Sequence, residues 1–268
     1  MKNGYHAIYS KDFYKGIDDV LKYGFDFVQF DLGVPKFFLN DLNKEHLQNI
    51  RNYASDRGAQ ITFHAPGDNV SLFCDYPLIR KGINDEFKLI LEKANVLNAR
   101  HVTFHAGAFP RFRKSGRKTD DSYTSHYEDV LYENLKKLTD NCGDVFVCME
   151  NYGFTEPTRQ VIQRLIKENQ PIYLTLDTAK LYSGGMVINQ DDYEFFRRNK
   201  VFIREIHIHD MNREFGSHQI VGSGHVDFGL FEQFFNDDVY LNFEVRPVEA
   251  AKESMDNFFN IVRVSTLA

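Results

Sequence analysis

Six segments of this 268-residue chain close in the same way. Each alternates apolar and polar residues and ends, on one phase, in a side chain able to ligate a metal or move a proton. They are ITFHAP with His64, VTFHAG with His105, VCMENYG with Glu150, LTLDTAK with Asp177, IREIHIHD with His207 and His209, and LNFEVRP with Glu244. A β-strand sends successive side chains to opposite faces, so Thr62 shares a face with His64, Thr103 with His105, Cys148 with Glu150, Thr175 with Asp177, and Asn242 with Glu244. The other face carries Phe63, Phe104, Met149, Leu176, Ile206, Ile208, Phe243 and Val245, which need an apolar layer against them. A ring of strands satisfies both faces: helices pack outside, and functional groups gather inside at one end.

The rest of the chain supplies the helices. Strand patterns fall at 5–9, 25–32, 60–64, 102–105, 145–150, 172–177, 201–209 and 240–245. Helical patterns fall between and after them at 16–23, 44–57, 78–97, 127–141, 157–169, 191–199, 228–236 and 249–264. The longest of these repeats Ile79, Ile83, Phe87, Ile90, Leu91, Ala94 and Leu97 at helical intervals. Thr155 is a natural N-cap ahead of Pro157 in a first turn. Strict strand–helix alternation without hairpin signals implies a parallel sheet. An open sheet is covered on both faces and its strands are apolar throughout. The persistent polar phase at the carboxyl ends instead implies a closed α/β barrel, the (β/α)8 TIM fold, spanning 1–268 as one domain, with its site on the loops that follow the strands. The longest of those loops are 106–126, 178–190 and 210–227.

Composition narrows the function. A formal charge of −6 gives no overall footprint for nucleic acid, although the run RFRKSGRK, Arg111 to Lys118, is locally basic and reads as a solvated loop. The three cysteines, Cys74, Cys142 and Cys148, are odd in number and lack C-x-x-C spacing, which implies free thiols in a reducing compartment. The N-terminus has no secretory pattern and no run is long and apolar enough for a membrane helix, so a soluble cytoplasmic protein is expected. The Phe surplus, 25 residues with no Trp, reads as core filling.

Glu150, Asp177, a histidine of HIH and Glu244 should converge from the last four strands. Three carboxylates sharing one mouth repel unless a cation or protons intervene, and carboxylate with imidazole suits a hard or borderline divalent ion. The ordered set FHAP, FHAG, MEN, LDTAK, HIHD, HQIVGSGHVDF and FEVRP, over roughly residues 60–250, resembles the xylose isomerase-like TIM-barrel superfamily. That group holds sugar isomerases and epimerases as well as the endonuclease IV apurinic-site nucleases. The resemblance implies one divalent ion (Mn, Mg, Co or Zn) held by Glu150, Asp177, His207 and Glu244. The H-x-x-D pattern favours His207, while H-x-H in some ketose epimerases leaves His209 as the alternative.

It further implies a metal-dependent isomerase or epimerase of a sugar, sugar phosphate or related polyol. Glu150 and Glu244 would act as acid and base next to a carbonyl, through an enediolate. His64, His105, Lys180, His218, Arg246 and Glu156 would contact the carbohydrate substrate. Lys180 and Arg246 should sit at the rim, and Gly222 and Gly224 resemble the family's G-x-G loop after strand seven. The nuclease branch needs a trinuclear zinc cluster with a histidine where this chain has Lys180 and an aspartate where it has Gly216, two residues before His218. A protonated ammonium donates and does not ligate. Those departures count against nucleic acid as substrate. A non-catalytic sugar-binding barrel is the remaining alternative, and whether the chain forms a homo-oligomer is left open.

Overall fold

Eight parallel strands pair in chain order and the eighth closes on the first. They are β1 (Lys2–Ala7), β2 (Phe27–Asp31), β3 (Gln60–His64), β4 (His101–Phe104), β5 (Phe146–Glu150), β6 (Ile172–Asp177), β7 (Ile203–Ile208) and β8 (Tyr240–Phe243). The computed structural model describes every residue except 68–69, 114–118, 184–186 and 266–268. The basic run 111–118 therefore falls largely outside the described residues. The architecture is the closed (β/α)8 TIM barrel expected from the alternating pattern.

Helices α1 (Phe13–Lys22), α2 (Lys44–Ser55), α3 (Pro77–Val96), α4 (Thr124–Asp140), α5 (Glu156–Lys167), α6 (Gln190–Arg198) and α7 (Val248–Ser265) cover the outside. In the seventh unit the covering element is a 3-10 helix, Phe228–Phe234, which buries Phe228, Phe231 and Phe234. Thr155 caps α5, its hydroxyl accepting from the Thr158 amide, and Glu156 and Pro157 fill the first turn as the sequence suggests. On α3 the apolar stripe is buried from Phe87 to Ala94, while Ile79 at the first turn stays largely exposed.

The two strand faces separate as the alternation requires. Phe63, Phe104, Met149, Leu176, Ile206, Ile208 and Phe243 point outward into the helical layer and are fully buried. Burying a side chain of that size stabilises by about 1.5–3 kcal/mol, so the shell between strands and helices dominates stability. The lumen is unusual in the opposite sense. Barrel interiors of this kind are commonly filled by branched apolar residues, yet here Gln29, Thr62, Thr103, Thr175, Glu205 and Asn242 are all buried.

Two further features were not signalled by hydropathy. The first strand begins at Lys2, not at Tyr5, because residues 2–5 pair with Tyr240–Phe243 of β8. The long loops carry small antiparallel ribbons, Phe112–Arg113 with Thr119–Asp120, Tyr182–Ser183 with Val187–Ile188, and Asp210–Asn212 with Gly216–Gln219. Among the described residues no helix is long and apolar enough to cross a membrane.

Candidate functional site

Register places the ligating groups. Asp177 on β6 pairs with His207 on β7, and His207 pairs with Asn242 on β8, so Glu244 stands one pleat above that level. Glu150 is paired with Thr175, two residues before Asp177. Short side-chain locks hold the strand ends. The Asn151 side chain bridges to the Asp177 backbone, accepting from its N–H at 2.7 Å and donating to its carbonyl at 3.0 Å. The Thr178 hydroxyl donates to the His207 carbonyl at 3.0 Å. The Asn of MEN and the Thr of LDT thus fix neighbouring strands past the ends of their ladders.

Glu150, Asp177, His207, His209 and Glu244 meet at the carboxyl end, every one of them buried. Glu150 Oε2 lies 3.1 Å from His64 Nε2, 3.0 Å from His105 Nε2 and 3.5 Å from His207 Nδ1. Glu244 Oε1 lies 3.3 Å from His207 Nδ1 and 2.8 Å from His6 Nδ1. Asp177 Oδ2 is 3.1 Å from His209 Nε2. Potential ligand atoms of Glu150, Asp177 and His207 lie within 4.8 Å of one another, as do those of His209, His218 and Glu244, and those of His64, His105 and Glu150.

The electrostatics are those of a carboxylate cluster balanced by imidazolium. Burial alone would raise the Glu150 carboxyl, but His105, His207 and His64 hold it well below its usual range. Glu244 is likewise held well below its usual range against burial, chiefly by His207. Asp177 is lowered by His209 and Lys180 against its burial. Reciprocally, burial opposes the charge on His64, yet Glu150 lifts it to about 9. His207 is raised well above the ordinary imidazole value by Glu244, Glu205 and Glu150, again against burial.

Does the donor set fit a divalent cation? Both ring nitrogens of His207 and Glu244 Oε1 are buried and make no well-formed hydrogen bond. A cation between the carboxylates would satisfy Nδ1 and Oε1 and replace the protons that otherwise hold the cluster together. Three carboxylates and one imidazole nitrogen are a suitable set for a hard or borderline ion. His209 is differently engaged: its Nδ1 accepts the His218 amide at 3.0 Å while its Nε2 faces Asp177.

The remaining candidates surround this centre unevenly. His105 stacks on Tyr152 with ring centroids 4.5 Å apart, and Gly67 makes the space, since a Cβ there would sit 2.4 Å from His105 Nδ1. Lys180 Nζ lies 5.5 Å from the Tyr152 ring centroid. Burial works against its charge, but Asp177, Glu150 and Glu244 raise its pKa. Arg246 Nη2 donates to His6 Nδ1 at 2.8 Å, and Arg246 Nε is buried without a partner. His218 takes the left-handed backbone, φ 63°, and its Nδ1 donates to the Glu244 carbonyl at 3.0 Å. A β-carbon-bearing residue persists in that region only where its surroundings impose it. Glu156 is not drawn in: it pairs with Arg159 and Gln160 on its own helix and its side chain is 63% exposed.

Asp210 explains the glycines that follow strand seven. Its carboxylate accepts the amides of Met211, Gly222, Gly224 and Val226 at 2.8–3.1 Å and so ties down the loop that carries His218. A Cβ at Gly224 would come within 2.1 Å of the Met211 carbonyl, so the close approach needs glycine. Asp210→Asn sets an amide NH₂ against backbone donors. We expect a loss of about 2–3 kcal/mol on thermal unfolding, with faster amide exchange concentrated in 210–227.

Three contributors escaped the sequence reading. His6 on β1 and Glu205 on β7 share the inward phase, and His101 opens β4 beside Glu205. The signal for Glu205 was visible, because it stands two residues before His207 in IREIHIHD. His6 lay within the expected first strand, but nothing local in the sequence marked it as part of the site.

A cavity of about 580 Å³ opens beside His64 and His105, bordered by Asp31, Phe38, Asn40 and Glu86. Comparison with known proteins agrees with this architecture. A D-tagatose 3-epimerase-like protein superposes with a TM-score of 0.77 at 17% identity over 100% of both chains. The IOLI protein with a bound zinc atom does so with a TM-score of 0.74 at 16% identity over 99% of both chains. In sequence, a probable endonuclease 4 of Persephonella marina is 23% identical over 265 residues, 90% of this chain and 88% of that protein. The family description "Xylose isomerase-like TIM barrel" matches residues 17–261, and the chain therefore belongs to that family.

Proposed function

We propose that the protein is a divalent-metal-dependent isomerase or epimerase of a sugar, sugar phosphate or related polyol. Glu150, Asp177, His207 and Glu244 would hold the cation, with His209 as the alternative imidazole. One observation carries the reading: three buried carboxylates and an unpartnered imidazole nitrogen gather at the barrel mouth, and His64 and His105, which contact Glu150, also line a cavity of about 580 Å³, within the range of small-molecule pockets. A bound divalent ion would act there as a Lewis acid on the substrate carbonyl. Glu150 and Glu244 approach from different sides and would remove and return the proton next to that carbonyl, through an enediolate. His64 and His105 steady Glu150 and border the cavity, which suits them to contact substrate hydroxyls. Lys180, Arg246 and His218 stand around the same mouth as further substrate contacts. The D-tagatose 3-epimerase-like protein and the zinc-bearing IOLI protein of like architecture support this reading.

Incubation with Mn²⁺ and a panel of ketoses in deuterated water tests it. Proton NMR should show loss of the signal next to the carbonyl for at least one sugar. No exchange across a broad panel by protein shown to bind Mn²⁺ would count decisively against the proposal. A second reading rests on the endonuclease 4 relative. It requires nicking of an abasic duplex, which Lys180 and Gly216, in place of ligands, argue against.

A further inference from the structure

The mouth of the barrel leaves one buried anion unused. Glu205 lies one pleat below His207, with no exposed surface. Taking a carboxylate out of water costs several kcal/mol unless donors surround it. Here they do. The Gln29 amide donates to both oxygens at 2.9 Å, and the Thr103 hydroxyl donates at 2.7 Å. His101 Nε2 and His207 Nε2 each stand 3.1 Å from Oε2, as ion-pair contacts outside hydrogen-bond alignment. The donors are themselves aimed: the Asn242 amide donates to Gln29 Oε1 at 2.7 Å, which turns the NH₂ of Gln29 toward Glu205.

An ionised carboxylate accepts only, so a ring nitrogen 3.1 Å from it is favoured with hydrogen over a lone pair, which the oxygen would repel. For a neutral His207 this leaves the lone pair on Nδ1. That atom points the other way, 3.5 Å from Glu150 Oε2 and 3.3 Å from Glu244 Oε1. Histidines that ligate metals generally donate their second N–H to a carboxylate or carbonyl, which fixes both tautomer and ring orientation.

We propose that Glu205 is a positioning residue: by holding Nε2–H of His207 toward the barrel floor, it presents Nδ1 as the atom that binds the cation. His101, 3.1 Å from the same oxygen, helps hold Glu205 in place. The inference rests on the cation site described above and adds which nitrogen binds and what orients it. It also gives the polar lumen a purpose, since Asn242, Gln29, Thr103 and Glu205 form one hydrogen-bonded support under a single imidazole.

Two measurements, neither of them an activity, test it. In ¹⁵N-histidine protein loaded with ¹¹³Cd²⁺, the His207 ring, assigned through its Cβ, should show cadmium coupling to Nδ1 and a slowly exchanging proton on Nε2. In Glu205→Gln, an amide NH₂ would meet the surrounding donors and loosen the ring. Calorimetric titration should then show Mn²⁺ binding about 10- to 100-fold weaker than in the parent, with unchanged far-UV circular dichroism. Coupling to Nε2, or Mn²⁺ affinity of the variant within twofold of the parent, overturns the positioning role while leaving the cation site intact. If the parent binds neither ion, the cation site itself is wrong and this inference falls with it. If Glu205→Gln does not fold, the cadmium spectrum of the parent decides alone.

Discussion

Glu150→Gln is expected to abolish substrate proton exchange, with a loss of at least ~10³-fold, while the protein stays folded. General acid–base groups commonly contribute 10²–10⁴-fold, and this residue combines that role with cation binding. The geometry makes the loss hard to rescue. One oxygen, Oε2, gathers His64 at 3.1 Å, His105 at 3.0 Å and His207 at 3.5 Å. An amide keeps the shape but removes the charge that balances those imidazoles. Glu244→Gln should behave alike, because Glu244 faces His207 and His6 from the opposite side. Glu156→Gln is the contrast, with an expected change below about threefold, since an exposed ion pair contributes little and Glu156 pairs on its own helix with Arg159. Deuterium incorporation into the responsive sugar, measured for all three variants at equal melting temperature, decides. Retained exchange in both Glu150→Gln and Glu244→Gln would leave a binding barrel without catalysis.

Which side chains gather at the barrel mouth is largely legible in the sequence, for a definite physical reason. Strand residues at two-residue spacing share a face, and the outward phase is so uniformly apolar that register could slip by one only by exposing Phe63, Phe104 and Phe243. The bounds of β3 and β6, Gln60–His64 and Ile172–Asp177, coincide with the patterned segments. What stayed hidden depends on contacts between distant segments. Tyr9 extends the apolar pattern of the first strand but is 71% exposed, whereas polar Lys2 and Asn3 are recruited by pairing with β8. His6, inside the strand on either set of bounds, went unremarked because its partners Glu244 and Arg246 lie at the other end of the chain. The ribbons in the long loops run for only two to four residues a side, too short for any period to show. The 3-10 form of Phe228–Phe234 depends on how its phenylalanines seat against α7 and neighbouring structure. Glu205 was overlooked because charge inside a barrel lumen is rare, and only the side chains of Gln29, Thr103 and His101, up to 176 positions away, make it tolerable.

The metal-free protein should lose stability as pH rises from about 6.5 to about 9. His64 is the accountable group, nine-tenths buried or more and held to about 9 by Glu150 against its burial. Its pKa in the unfolded chain is about 6.5. A group whose folded pKa is raised stabilises fully below the unfolded value, and that contribution disappears as pH climbs through the folded one. At 1.36 kcal/mol per pH unit the loss is on the order of 3 kcal/mol, or roughly 10 °C in melting temperature for a chain of this size. His207, also raised, adds in the same direction. The lowered carboxyls of Glu150 and Glu244 act at the other end: their contribution is present above the unfolded value of about 4.3 and is lost as pH falls. His218, held down to about 4, and His6, also lowered by burial, cost stability as pH falls below about 6.5, so stability without metal should peak near pH 6.5. Saturating Mn²⁺ should flatten the alkaline decline, because ligand groups must be deprotonated to bind and the cation then takes over the role of the lost protons. Glu150→Gln should flatten it too, by removing the charge that keeps His64 protonated. Melting curves of chelator-treated protein from pH 5 to 9, with and without Mn²⁺, separate these effects. A metal-free midpoint that stays level between pH 6.5 and 9 would mean that Glu150 is balanced by something other than an imidazolium. The electrostatic account of the site would then have to be redrawn around a neutral His64.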